Sequence, residues 1–287
     1  MRSIPGLGGG WPVNSCLEGA GTLSSAAGCP SARRLLAWLR ADRPTVAVLS
    51  VLMLANAFFA LLHLLRFLMI RLDIAAGSAL TGDSLSLGME WGYAEIFNYL
   101  QTLALVGLLA AIAMRTREAL YLCWAAVFVL VAIDDALAIH QQFGSLLAAI
   151  VPLPPGLGLR PADLSELAVW AGGAAGLVLL LSLGFRRAAP AHREIGWYFA
   201  CLFGLLLLFG FAVDMVHSLL NGTFFASSLV LELIEDGGEM VSISLACVLA
   251  VAVWRASDDP ARDPLPPPTD LAEDGPVLDR LRRQGGL

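Results

Sequence analysis

Twelve ionisable side chains fall inside apolar stretches of this chain: His63, Glu95, Asp134, Asp135, His140, Glu166, Asp214, His217, Glu232, Glu235, Asp236 and Glu239. An ionised group at the centre of a bilayer costs about 2.5–3.5 kcal/mol on insertion scales. Such residues therefore mark either a site or a hydrogen-bonded network that ties helices together. Imidazole and carboxylate are also the usual ligands of divalent metals. Three neutral His with carboxylates to orient them suit zinc, with water in the fourth position. Two His among several carboxylates suit a di-metal site inside a helical bundle. On this basis the expected metal ligands are His63, His140, His217, Asp135 and Glu239, with zinc the expected divalent metal. Asp214 and Glu235 are the candidates for a catalytic base, and Glu95, Asp134, Glu166, Glu232 and Asp236 complete a polar network.

The spacing places these groups on shared faces. Glu232, Glu235, Asp236 and Glu239 fall at helical steps 0, 3, 4 and 7, within one stripe about 100° wide. Four carboxylates there cannot all ionise unless a cation or an Arg neutralises them; otherwise some take up protons. Glu95, Asn98, Tyr99 and Thr102 repeat the pattern, Asn56, His63 and Arg66 share a face, and Asp214 and His217 stand at i and i+3. Asp134, Asp135 and His140 do not share a face of one straight helix, so either one acid points elsewhere or the helix breaks. His63, His140 and His217 are separated by 77 residues each time, and a Glu (Glu95, Glu166, Glu232) begins each following apolar run. That spacing suggests three repeated helical hairpins around a common axis, the alternative being chance, since any chain of hairpins has a period near this. Gly82-Asp83-Ser84-Leu85 spells a hydrolase motif, and Asp214-x-x-His217 matches its partner pair. The motif belongs at a strand-to-helix turn of an α/β domain. Here it lies between two apolar runs, where a chance tetrapeptide is the better account.

The elements that must carry these residues follow from composition. Of the 287 residues, 57% are hydrophobic and 15% charged, and the mean hydropathy is +0.73. A soluble domain carries roughly a quarter charged residues, and runs near 20 apolar residues are long enough to cross a bilayer. The chain reads as an all-α, multi-pass membrane helix bundle with six transmembrane helices, over 45–70, 93–114, 119–139, 164–185, 195–216 and 229–254. Residues 1–44 are expected to be a disordered cytoplasmic N-terminus with a short interfacial helix over 31–40, and 256–287 a disordered cytoplasmic tail, leaving 45–255 as the membrane domain. No apolar h-region precedes residue 30, so no signal peptide is expected.

All 18 basic residues are Arg, which removes lysine Schiff-base chemistry. None of the five Cys forms a C-x-x-C pair. The net charge of −6 and the lack of a basic stripe argue against a nucleic-acid partner. Ten Arg flank the spans on one side: Arg33, Arg34, Arg40, Arg43, Arg115, Arg117, Arg186, Arg187, Arg193 and Arg255. Arg66, Arg71 and Arg160 lie on the other, so the positive-inside rule puts both termini in the cytoplasm and the acids in the outer halves of their helices.

Asp134-Asp135-x4-His140 together with Glu235-Asp236-Gly237-Gly238-Glu239-Met240 resembles a group of uncharacterised bacterial six-helix membrane proteins. The likeness covers mainly the third to sixth spans. It implies a bacterial inner-membrane address and carries no assigned activity. The expected function is an outward-facing intramembrane His/carboxylate site that binds a metal and would serve a metal-dependent hydrolase acting on a lipid or periplasmic substrate. The alternatives are a proton- or cation-coupled transporter, with 232–239 as the coupling stripe, and a structural or partner-binding membrane protein. The inner halves are almost wholly apolar, which counts against a transport route.

Overall fold

Asp42 takes an extended conformation and turns its side chain back on the helix that follows. Its Oδ2 accepts from the Thr45 N–H at 3.2 Å and from the Thr45 hydroxyl at 2.6 Å. This N-cap satisfies an end group that would otherwise lack a partner, and Pro44 in the first turn supplies a preset φ. The result is α1, Arg43–Arg71. In this computed structural model, residues 39–40, 42–73, 81–151, 161–213, 216 and 227–258 are described. The expected disordered tail beyond Asp258, nearly all of the expected interfacial helix, and Asp214 and His217 lie outside the described residues.

The further helices are α2 (Tyr93–Thr116), α3 (Ala119–Leu137), α4 (Ile139–Ile150), α5 (Pro161–Arg187), α6 (Pro190–Leu207) and α7 (Ser227–Ala256). A π-helical segment, Leu208–Val213, continues α6. No strand occurs among the described residues, and six helices are long and apolar enough to cross a membrane. The chain is thus an all-α, multi-pass bundle. The third expected span ends early because Ala138 takes a left-handed conformation, φ 47°, which no α-helix continues through. A break was one of the two outcomes that the spacing of Asp134, Asp135 and His140 left open. The amphipathic α4 beyond it was not foreseen; apart from its first residue it falls within what was read as a connection.

The packing is centred on α7. It lies against α1, α2, α6 and the π segment, while α2 packs on α3, and α5 packs on both α3 and α4. In the most apolar stretch of α7, 61% of residues are buried, against 6% for α5. Buried small residues, Ser242, Ser244, Ala246 and Ala250, run along α7. They let neighbouring backbones approach where lipid offers no hydrophobic drive to associate. α1 is inside out by aqueous standards. Its buried residues are Thr45, Asn56 and His63, while Leu54, Phe58 and Leu61 are exposed. Apolar side chains towards lipid and polar ones towards protein is the arrangement a bilayer requires. The contacts of α1 are with α7, far away in sequence, and with the turn over Asp83–Leu85.

A large apolar core fills the end of the bundle nearest the Arg residues. Trp124 is fully buried, its ring 6.0–6.2 Å from the rings of Phe128, Phe199 and Phe203. Leu105, Leu109, Tyr121, Ile195 and Leu249 close around it. Among the described residues, the apolar core at the other end is a small cluster of Leu87, Ala94 and Met240.

Candidate functional site

The acid-rich end is built from α1, α2, α3, α7, the π segment and the connection before α2. Arg66, one helical turn after His63, fixes that connection. Its Nε donates to the Gly82 carbonyl at 3.1 Å, and its guanidinium pairs with Asp83 at 2.5 Å. Asp83–Leu85 forms a short 3-10 turn, so the hydrolase-like tetrapeptide lies in a turn held by Arg66 and not beside a strand. The anchored chain then brings the Leu87 N–H to His63 Nδ1 at 3.1 Å, with the Ser86 hydroxyl 3.4 Å from the same atom. Accepting at Nδ1 leaves the ring proton on Nε2. Nε2 has no hydrogen-bond partner and faces Glu232 Oε2 at 3.7 Å. Gly88 follows: a Cβ there would stand 3.2 Å from Asp236 Oδ2, so glycine allows this backbone to lie against the acids of α7.

Glu95 enters the first turn of α2 and accepts from the Tyr99 hydroxyl at 2.6 Å and from the Trp91 N–H. Glu95, Asp135, Glu235, Asp236 and Glu239 line one cavity of about 250 Å3, together with Glu90, Asn98 and Gly210. The carboxylates of Glu235, Glu232, Glu95 and Asp135 all lie close enough to act electrostatically on Asp236. A second chamber of about 140 Å3 adjoins the first and shares Asn98, Asp135, Gly210 and Glu239 with it. It adds Tyr99, Thr102, Asp134, Trp170 and Phe211. Gly210 sits in the π segment, and a Cβ there would collide with the Glu239 carboxylate. A π turn at this point widens the helix and brings its backbone to the acid.

The faces expected on α2 and α7 border these chambers. Asn98 lines both chambers, with Glu95 on one side and Tyr99 and Thr102 on the other. Of the stripe on α7, Glu235, Asp236 and Glu239 face the cavity, while Glu232 turns to His63. Both Asp134 and Asp135 contribute, Asp135 to both of these chambers. His140 and Glu166 lie on α4 and α5, but their side chains are outside the described residues, as are Asp214 and His217. Among the described residues, no three His, Cys, Asp or Glu are arranged to hold a metal ion.

Sequence reasoning passed over a buried polar chain just below the site. Asn56 Nδ2 donates to the Ser244 hydroxyl at 3.0 Å, which donates to Gln101 Oε1 at 2.5 Å, tying α1 and α2 to α7. Asn56 had been placed on the His63 face. Gln101 and Ser244 are single polar residues in apolar runs, and their burial inside a membrane span is the signal that could have found them.

Residues 45–254 match the model of the family described as Domain of unknown function (DUF8692). The chain belongs to this family, whose match covers the six spans. No curated protein and no solved structure matches it.

Proposed function

We propose that this integral membrane protein binds a cation in the carboxylate-lined cavity at the acid-rich end of its bundle. The observation that carries this is the convergence of Glu95 from α2, Asp135 from α3 and Glu235, Asp236 and Glu239 from α7 on one chamber. Gathering like charges inside a membrane span is costly. A bound cation offsets that cost and gives the arrangement a use. The donors are oxygens, which favour hard cations or an ammonium group over zinc. A zinc centre would depend on His140 and His217, because His63 Nδ1 accepts from Leu87 and its Nε2 carries the ring proton. The arginine bias and the resemblance to bacterial inner-membrane proteins support an inner-membrane address, with the cavity facing outward and the termini in the cytoplasm. The continuous apolar core of the arginine-rich half supports binding without passage across the membrane.

The test is titration of the purified full chain in lipid nanodiscs with Mg2+, Mn2+, Zn2+ and ethylammonium, read by heat of binding and thermal stability. At least one should bind, with affinity lowered tenfold or more by Asp236→Asn or Glu239→Gln, about 1.4 kcal/mol. Tight zinc binding lost on His140→Ala but not on Asp236→Asn would move the site to the histidines. Wild-type protein that binds none of the four would end the proposal.

A further inference from the structure

The two chambers continue into a third space that changes the chemistry of the site. A groove of about 210 Å3 runs between α3 and α5 and shares Val131, Asp134 and Trp170 with the middle chamber. Apart from Asp134 its lining is apolar, and Leu130 and Ile133 on its wall are exposed on the lipid-facing flank of α3. From carboxylates, through a chamber with Tyr99 and Trp170, to an apolar groove, polarity falls in one direction.

We propose that the ligand is a single-chain amphiphile with a cationic ammonium head, which enters sideways from the bilayer. This rests on the cation site proposed above and names its ligand class. Charge complementarity sets the head: acids from three helices surround the first chamber. Its size sets the type of cation. The acids border a space of about 250 Å3 without forming a preset three-ligand group among the described residues, which suits a broad ammonium head better than a bare metal ion. A second, independent feature points to a donor-bearing ligand. Asn98, at the junction of the first two chambers, is only 8% exposed, and its Oδ1 accepts no hydrogen bond. An ammonium N–H would fill that need, since a buried acceptor left unmade is costly. The groove sets the tail, because an apolar trough beside lipid-facing side chains fits an alkyl chain and offers nothing to an ion.

The experiment compares ethylammonium, dodecylammonium and dodecanol on the full chain in nanodiscs, using wild type, Gly173→Leu, Val169→Phe and Asp236→Asn. A Cβ at Gly173 meets nothing within 4 Å, so the larger side chain can be placed without a backbone clash while narrowing the groove. Nonspecific partitioning is common to all four proteins and cancels between them. Dodecylammonium should bind wild type about tenfold or more tighter than ethylammonium. Gly173→Leu and Val169→Phe should each remove that advantage and leave ethylammonium binding unchanged. Asp236→Asn should weaken both amines, and dodecanol should not compete. An advantage for the long chain that survives both groove variants overturns the inference, as does equal binding of the two amines by wild type. In either case, retained ethylammonium binding leaves the cation site standing. Loss of all amine and metal binding in wild type removes both.

Discussion

The two ends of the bundle handle charge in opposite ways. At the arginine-rich end, acids and bases are joined across helices. Arg255 binds Asp42 through Nε at 2.7 Å and a second nitrogen at 3.2 Å, fastening the end of α7 to the start of α1. Arg115 pairs with Asp258 and lies over the Trp254 ring, 4.9 Å from its centroid. Tyr121 meets His192 Nδ1 at 2.8 Å, with Glu118 3.9 Å from the other ring nitrogen. At the acid-rich end, like charges surround a void, and the nearby Arg66 is engaged by Asp83 and Gly82. The first end is complementary within itself. The second gathers acids from three helices around a cavity, which is how a protein sets aside stability for binding.

The contrast can be broken by mutation. The largest effect should come from Trp124→Ala, which empties the middle of the apolar core. Loss of about 3–5 kcal/mol is expected, read by denaturant titration of the reconstituted protein. Next comes Gly238→Ala. A Cβ there would strike the Phe209 ring, which is not a flexible side-chain tip, so about 1–3 kcal/mol should be lost. Gly210→Ala meets only the Glu239 carboxylate, the far end of a flexible chain. Its stability should change by less than about 1 kcal/mol while cation affinity falls.

Asp42→Ala should cost about 1 kcal/mol by removing an N-cap. The hydrogen bond from Arg255 leads the effects that hold the Asp42 carboxyl down to about 2 from its ordinary 3.8, with Thr45 adding to it against the opposing pull of burial. The folded form therefore keeps its proton off more readily than the unfolded chain. The stabilisation is fully present above pH 3.8 and is lost as pH falls through about 2. Thermal scans between pH 5 and pH 2 should show a loss in wild type that is smaller in Asp42→Asn. The smallest effect should be that of Asp236→Asn at neutral pH without cation, within about 1 kcal/mol of wild type or stabilising, because it removes one of several repelling charges. Strong destabilisation there would mean that Asp236 is already paired, and the contrast between the ends would fail.

Much of this was legible in the sequence because membranes impose strict rules. Uncharged runs of span length have one outcome, and acids at helical spacing must share a face, as Glu235, Asp236 and Glu239 do. The departures have local causes. Ala138 is not a residue that announces a left-handed turn, so the end of α3 and the start of α4 were hidden. The π segment is equally silent, because LFGFAV differs little from the apolar residues before it. His63 was expected to bind metal. Its Nδ1 accepts from Leu87, a backbone N–H whose position depends on Arg66 holding a turn 16 residues away, and composition cannot show that contact.

The central place of α7 also sets a timetable. Asn56 reaches Ser244 across 188 residues of sequence. At ~5–20 residues per second, a ribosome needs roughly 10–40 s to make that stretch. During that interval α1 stands in the membrane with Asn56 and His63 lacking their partners on α7. The first spans must therefore wait beside the insertion machinery or a chaperone, or tolerate exposed polar groups, until the last helix arrives to close the structure.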